Sequence, residues 1–254
     1  MTNKIPKILT SFHLKMIALI TMFIDHFSFV YLNGLITNDN QVLLLNIAHS
    51  MRLIGRIAFP IYCFLIVEGF LHTKNINKYI LRLLIFAFIS EIPFDLAINN
   101  CLIEFHSNNV LFTLLLGLIL IYIVSLIEKK QKKYLKRNKN ILIVNISSKL
   151  LIILTTFVFC LLANNVFSSD YGASGIISIF FMYVLREKPI LSSILSICAL
   201  VLLNFAFNEL YALIIIIPLL LYNGKKGKSV KYFFYWFYPL HLLFLYFLSN
   251  INII

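Results

Sequence analysis

The chain has 254 residues, 61% of them hydrophobic, a formal net charge of +12 and a mean hydropathy of +0.91. An apolar share so far above the roughly 45 to 50% of soluble domains excludes an ordinary soluble enzyme. The 22 Lys and Arg sit in short runs between apolar segments and not along one face. That spacing excludes a nucleic-acid partner and reads as topology signals and contacts with lipid headgroups. The expected fold is therefore all-α, a polytopic transmembrane helical bundle.

Apolar windows of about twenty residues predict about nine spans. They lie near Leu14–Leu35, Leu53–Leu71, Tyr79–Ile98, Val110–Ile127, Leu150–Phe167, Ala173–Leu185, Ile190–Phe207, Leu210–Tyr222 and Tyr232–Leu248, the sixth and eighth being short. The first run is too long for a signal peptide and no small-residue cleavage site follows it, so it is expected to stay in the mature protein. With a cytoplasmic amino terminus and an outside carboxyl terminus, every basic residue except Arg52 and Arg56 falls inside. Lys4 and Lys7, the run from Lys129 to Lys149 and the lysines from Lys225 to Lys231 all agree, and the two arginines are marked for a task other than topology. The cytoplasmic basic loop, residues 128–149, is the long polar segment. No internal repeat of 20 to 50 residues is visible, so one membrane domain, residues 1–254, is expected. Cys63, Cys101, Cys160 and Cys198 lack paired spacing and are assigned to packing.

Charges inside apolar spans carry the chemistry, because each costs several kcal/mol unless answered. At 1.5 Å per residue, His26 lies roughly 16 Å inward from Lys15 and His241 roughly 15 Å inward from Lys231, so the two histidines are expected at one depth and in one cavity. Asp25 precedes His26 and points about 100° away from it. It either orients His26 or forms a structural ion pair with Arg52 or Arg56. Arg52 and Arg56 are four apart on one helix face, in the outer half, with snorkelling to headgroups the plainer role for Arg52. Pro60 follows one turn later and bends the span. Glu68 and His72 repeat the four-residue spacing near the cytoplasmic end, as an interfacial pair or a functional one. Glu91 and Asp95 repeat it around Pro93, Glu91 roughly 20 Å in, and need cations, for which Arg52 and Arg56 are at the right depth. No further His or Cys stands at matched spacing, so no metal site is expected. GxSxG and P-loop patterns are absent.

The segments KMIALITMFIDH, RLIGRIAFPIYCFLIVEGFLHTKNINKYILRLLIFAFISEIPFDLA and WFYPLHLL resemble the TraX family, densely from Lys15 to about Ala97 and again at the closing YPLH. That family is named for pilin N-acetylation and is grouped with multispanning acyltransferases that use cytoplasmic acyl-CoA. The resemblance implies a bacterial inner-membrane enzyme, an acetyl-CoA-dependent N- or O-acyltransferase. It would move an acetyl group to an extracytoplasmic acceptor, a protein or peptide amine or a glycan. It implies His26 as base or acyl carrier, oriented by Asp25, with Arg56 and either Arg52 or His241 stabilising the oxyanion. Glu91 would hold Arg56 or the incoming ammonium. Lys74, Lys78 and Arg82 would take the phosphates of CoA, and Glu68 and His72 would line the pantetheine path. Buried Asp, Glu and His also suit a proton-coupled transporter, or a scaffold in which charges only join helices.

Overall fold

The computed structural model describes residues 6–36, 41–136 and 141–251. Lys4, Arg137 and Lys139, counted above among the inside charges, lie outside the described residues. The α-helices in chain order are α1 (Ser11–His26), α2 (Gln41–Gly55), α3 (Ala58–His72), α4 (Ile76–Phe94), α5 (Val110–Leu135), α6 (Ile141–Leu161), α7 (Gly172–Val184), α8 (Pro189–Asn204), α9 (Ile216–Leu220) and α10 (Lys231–Ile251). π-helical turns extend α1, α4 and α6 at Phe27–Tyr31, Asp95–Asn99 and Leu162–Val166, and 3-10 helix forms Leu32–Leu35 and Phe207–Ile215. Among the described residues, extended pairing is confined to two isolated bridges, Leu9 with Tyr222 and Asn108 with Ser169. The expected helical bundle is the observed one.

Among the described residues, four stretches are long and apolar enough to cross a bilayer: Ser11–Leu35, Gln41–His72, Val110–Leu135 and Ile141–Val166. Gly172–Val184, Pro189–Asn204 and Phe207–Leu220 are apolar but shorter. The sequence windows made the sixth and eighth segments short, and the seventh joins them. α2 was not among the predicted spans, because Gln41, Asn46, His49 and Ser50 interrupt its apolar run. It is amphipathic instead, with Val42, Leu43, Leu45 and Ile47 outward and Ala48 and Gly55 buried. The second predicted span is therefore not one straight helix. It breaks between Gly55 and Ala58, where Pro60 lacks the amide that would bond back to the Arg56 carbonyl, and α3 starts afresh. The basic loop is shorter than predicted: Glu128–Leu135 completes α5 and Ile141 already opens α6, with Gln131 Nε2 donating to Asn145 Oδ1 at 2.9 Å.

Helix starts follow their caps. Asn75 accepts from the Lys78 amide and Asn109 from the Leu111 amide, and Pro189 occupies the first residue of α8, where no amide partner is lost. Inside a bilayer, helices associate through close packing and side-chain hydrogen bonds more than through exclusion of water. Gly117 packs against Ile179, and Gly175 against Thr113, Phe59 and Tyr171, so α5 and α7 approach closely where a larger residue would collide. Ser178 Oγ donates to the Ser196 carbonyl at 2.9 Å and joins α7 to α8. The main core gathers Ile61, Leu118, Ile121, Ile176, Ile179, Ile197 and Leu200 from α3, α5, α7 and α8. A smaller cluster of Met22, Ala58, Phe94, Ala97, Tyr238 and Leu242 joins α1, α3, α10 and α4 with its π-helical extension, and through Tyr238 it adjoins both histidines.

Two ends of the bundle differ in charge. At the basic end, the segment before α1 is pinned to the loop before α10, Leu9 donating its amide to Leu221 and Ser11 its amide to Lys225, both at 2.9 Å. At the opposite end, the loops before α5 and α7 pair through the Asn108 amide on the Ser168 carbonyl and the Asp170 amide on the Asn108 carbonyl, each at 3.0 Å.

Candidate active site

The two histidines meet. His26 Nδ1 lies 2.7 Å from His241 Nε2, with the ring planes 8° apart. His241 Nδ1 lies 2.8 Å from the Phe237 carbonyl oxygen. A carbonyl only accepts, so His241 Nδ1 carries the proton and its Nε2 is the acceptor in the neutral ring. His26 Nδ1–H must then donate to it, which leaves the lone pair of His26 Nε2 available to take a proton. Protonation of His26 at Nε2 leaves this hydrogen bond intact, whereas a proton on His241 Nε2 would set two N–H groups against each other. Phe237 stacks on His241 at 4.9 Å, and Tyr238 lies edge-on to both rings, with centroids 6.3 Å from His26 and 5.7 Å from His241. The π-helical turn begins immediately after His26, a departure from α-helix that often accompanies function.

Asp25 does not orient His26. Its carboxylate takes Arg52 Nη1 at 2.8 Å and Arg56 Nη2 at 3.0 Å, and Arg56 Nη1 continues to Glu209 Oε1 at 2.8 Å. The reason is rotational: neighbours on α1 point about 100° apart, so Asp25 faces the α2–α3 turn while His26 faces α10. His241 is the orienting partner. Arg52 is held by Asp25, with Phe29 beneath its guanidinium at 5.1 Å, and does not reach away to headgroups. Gly55 makes this approach possible, since a Cβ there would collide with the Asp25 carboxylate. Ser28 Oγ donates to the Ala48 carbonyl at 3.0 Å and adds a second tie between α1 and α2.

Glu91 and Asp95 do not use the arginines. Glu91 accepts from the side-chain amide of Asn109, which also donates to the Ala87 carbonyl at 2.8 Å. Asp95 is fully buried and accepts from Asn99 Nδ2 at 3.0 Å and the Glu104 amide at 2.8 Å, closing the loop after α4. Glu91 therefore holds neither Arg56 nor a place beside it. Glu209, on the 3-10 segment before α9, takes that position; it is 2% exposed, with Oε2 unpaired. Sequence reading passed over it, although a lone carboxylate in AFNELYAL is the signal that flagged the others. Asp170, on the loop into α7, shares the electrostatic field of Arg56, Arg52, Asp25 and Glu209 and was also missed.

A cavity of about 530 Å³, within the usual range for small-molecule sites, opens at the basic end. Lys15, His72, Arg82, Lys226 and Lys228 surround its mouth, and Met22, Tyr62, Leu111 and Tyr238 line its depth. From His72 to Tyr62 along α3 the helical rise gives about 15 Å. Glu68 lines the cavity, accepting from the Tyr222 hydroxyl at 2.7 Å, with His72 Nδ1 3.8 Å away. Arg82 lines it with Tyr235 as a hydrogen-bond partner. Lys74 and Lys78 are exposed on the turn before α4 and its first residues, and the cavity wall does not include them. Tyr238 also lines the cavity and touches both histidines through its ring edge, while His26 and His241 themselves are not part of the lining.

The sequence profile described as TraX protein matches residues 11–249. The chain belongs to the TraX family. A relative from Dichelobacter nodosus, named "Probable fimbrial assembly protein FimC, serogroup H1", is 36% identical over 122 residues, covering 45% of this chain and 46% of that protein. The chain thus matches less than half of that relative's length. No solved structure matches it.

Proposed function

We propose that this TraX family member is an acyltransferase of the bacterial cytoplasmic membrane, taking an acetyl group from acetyl-CoA on the basic side and delivering it to an amino or hydroxyl acceptor at the opposite face. The observation that carries the reading is the oriented His26–His241 pair packed against the ring of Tyr238, a residue that also lines a cavity walled by Lys15, Arg82, Lys226 and Lys228. The name of the Dichelobacter relative supports an acceptor connected with fimbriae.

The residues fit such a donor: phosphates need cations at a mouth, and a slim arm needs a long, mostly apolar passage. Arg82, Glu68 and His72 line that passage; Lys74 and Lys78 stand outside it and would act on the donor only at long range. Acetyl-CoA supplies an activated acyl group as a thioester. His26 Nε2 accepts the proton of the acceptor as its nitrogen or oxygen attacks, and His241 holds the ring through Nδ1–H of His26. The imidazolium then returns the proton to the departing sulfur. The oxyanion role passes from the arginines to Tyr238, because Asp25 and Glu209 already neutralise Arg56. The Tyr238 ring lines the cavity and stands edge-on to both histidines, and its hydroxyl lies at the Val110 amide at the start of α5. The Asp25–Arg52–Arg56–Glu209 cluster fixes the rotation of α1 and thereby the aim of His26.

The test is acetyl-CoA binding and slow hydrolysis by purified protein in detergent. Wild-type binding, with turnover abolished by His26→Ala, is expected. Absence of binding at saturating acetyl-CoA, together with proton flux in vesicles that depends on His26, would overturn the reading in favour of a proton-coupled transporter.

A further inference from the structure

The loop between α9 and α10, Asn223-Gly-Lys-Lys-Gly-Lys-Ser229, reads in sequence as a carrier of topology signals. Its conformation is more constrained than that role requires. Gly224 and Gly227 adopt φ of 74° and 70°, backbone that other residues rarely enter. The loop is clamped by the segment before α1: the Ser11 amide donates to Lys225 at 2.9 Å, the Phe12 amide to Lys226 at 3.1 Å, and the Asn223 amide to Leu9 at 2.9 Å. Gly227 seats directly on that strap, where a Cβ would collide with Thr10 and crowd Phe12. Within the loop, Asn223 Oδ1 accepts from the Lys225 amide at 2.9 Å, and Lys226 Nζ donates to Ser229 Oγ at 3.1 Å.

The fixed backbone aims its charges selectively. Lys226, Lys228 and Ser229 line the cavity and Lys225 does not, so the loop presents two of its three lysines to the same opening as Arg82. The lining sets Lys15, Arg82, Lys226 and Lys228 against one carboxylate, Glu68, which also accepts from the Tyr222 hydroxyl. The rim is therefore strongly positive, while the depth beyond it is mostly apolar. That combination selects a ligand with a phosphorylated head and a slim tail. A topology signal needs only the number of lysines, and this loop also specifies their direction.

We infer that the 223–229 loop is the phosphate clamp of the donor site, Lys226 and Lys228 binding the phosphates of the acyl carrier together with Arg82. The inference rests on the acyltransferase reading. It replaces Lys74 and Lys78, which the sequence suggested for this task and which the cavity leaves out. Phosphate could equally arrive on an anionic lipid headgroup, so the test separates the two sources.

The experiment compares wild type with Lys226→Gln/Lys228→Gln in phosphatidylcholine nanodiscs, measuring binding of acetyl-CoA and turnover of acetyl-pantetheine, which has the thioester but no nucleotide. Each lost charge-assisted contact is expected to weaken acetyl-CoA binding roughly tenfold. Acetyl-pantetheine turnover is expected to stay within twofold. Unchanged acetyl-CoA affinity in the variant overturns the clamp, and so does an equal loss with both compounds, which would place the loop in folding. Wild-type affinity for acetyl-CoA that falls when phosphatidylglycerol is added, and does not fall in the variant, also overturns it by assigning the lysines to lipid. Failure of wild type to bind acetyl-CoA at all defeats the acyltransferase reading itself and is distinct from each of these results.

Discussion

Replacing Arg56 is the most informative perturbation of the fold, because one guanidinium serves two acids. It donates to Asp25 at 3.0 Å and to Glu209 at 2.8 Å, and the exposures of the three side chains are 18%, 12% and 3% respectively. Arg56→Met leaves Asp25 with Arg52 but leaves Glu209 buried with no cation on its Oε1 and none on its already unpaired Oε2. Removing one partner of a buried pair costs about 3 to 5 kcal/mol. For a chain of this size that corresponds to a fall in melting temperature on the order of 10 °C. Glu209→Leu alone leaves two arginines on one carboxylate and is expected to cost less, since Arg56 retains Asp25 and is partly exposed. Arg56→Met/Glu209→Leu retains the balanced Asp25–Arg52 pair and should be more stable than Arg56→Met by about 2 kcal/mol or more. Thermal unfolding in detergent, followed by size-exclusion chromatography, measures all three. Simple additivity, with the double variant the least stable, would refute the argument that Glu209 is the charge Arg56 exists to answer.

Three further outcomes follow from the site. His26→Ala should lower acyl turnover by about 100- to 10,000-fold with acetyl-CoA affinity retained, and His241→Ala should lower it less, since it removes the orienting partner and not the base; turnover in wild type should fall as acid protonates the dyad, read from the pH–rate profile. Tyr238→Phe keeps the ring beside the histidines, so a loss of about 100- to 1,000-fold in kcat with KM for acetyl-CoA unchanged would identify the hydroxyl as the oxyanion donor, while an unchanged kcat would remove it from that role. Gly55→Ala drives a methyl group into the Asp25 carboxylate and should cost about 1 to 3 kcal/mol, visible as a lower melting temperature, and Gly34→Ala, with open space around it, should cost much less.

Legibility in the sequence followed physical range. Apolar runs gave the helices because burial in lipid is decided by composition over twenty residues. Helical rise placed His26 and His241 at one depth, and they meet. What failed was pairing. Three ionisable pairs at i, i+4 were visible by spacing, and Asp25 took the arginines as its ion-pair alternative required, yet Glu91 and Asp95 found partners elsewhere: Asn109 and the loop at Glu104. Helix rotation and inter-helix contact choose partners, and neither is written in local spacing. Glu209 is the instructive omission. It falls between the predicted spans Ile190–Phe207 and Leu210–Tyr222, so no depth was counted for it, although its cost in lipid was as plain as that of Asp25.

The two arginines that break the charge asymmetry have a mechanical explanation. Asp25 and His26 occupy one turn of α1 and face different neighbours, so whatever fixes one fixes the other. The carboxylate of Asp25 is gripped from the α2–α3 turn by two cations, and Arg56 extends the grip to Glu209 on a third element. A hydrophobic contact could hold the helix at this distance but would leave it free to roll. Paired guanidinium bonds have direction, and a roll of α1 that breaks them would also carry His26 away from His241. The same turn then passes into the π-helical segment, whose Ser28 bonds α2. Charge placed at such expense inside the bundle is thus explained by aim: it sets the angle of His26, the base of the proposed reaction, against His241.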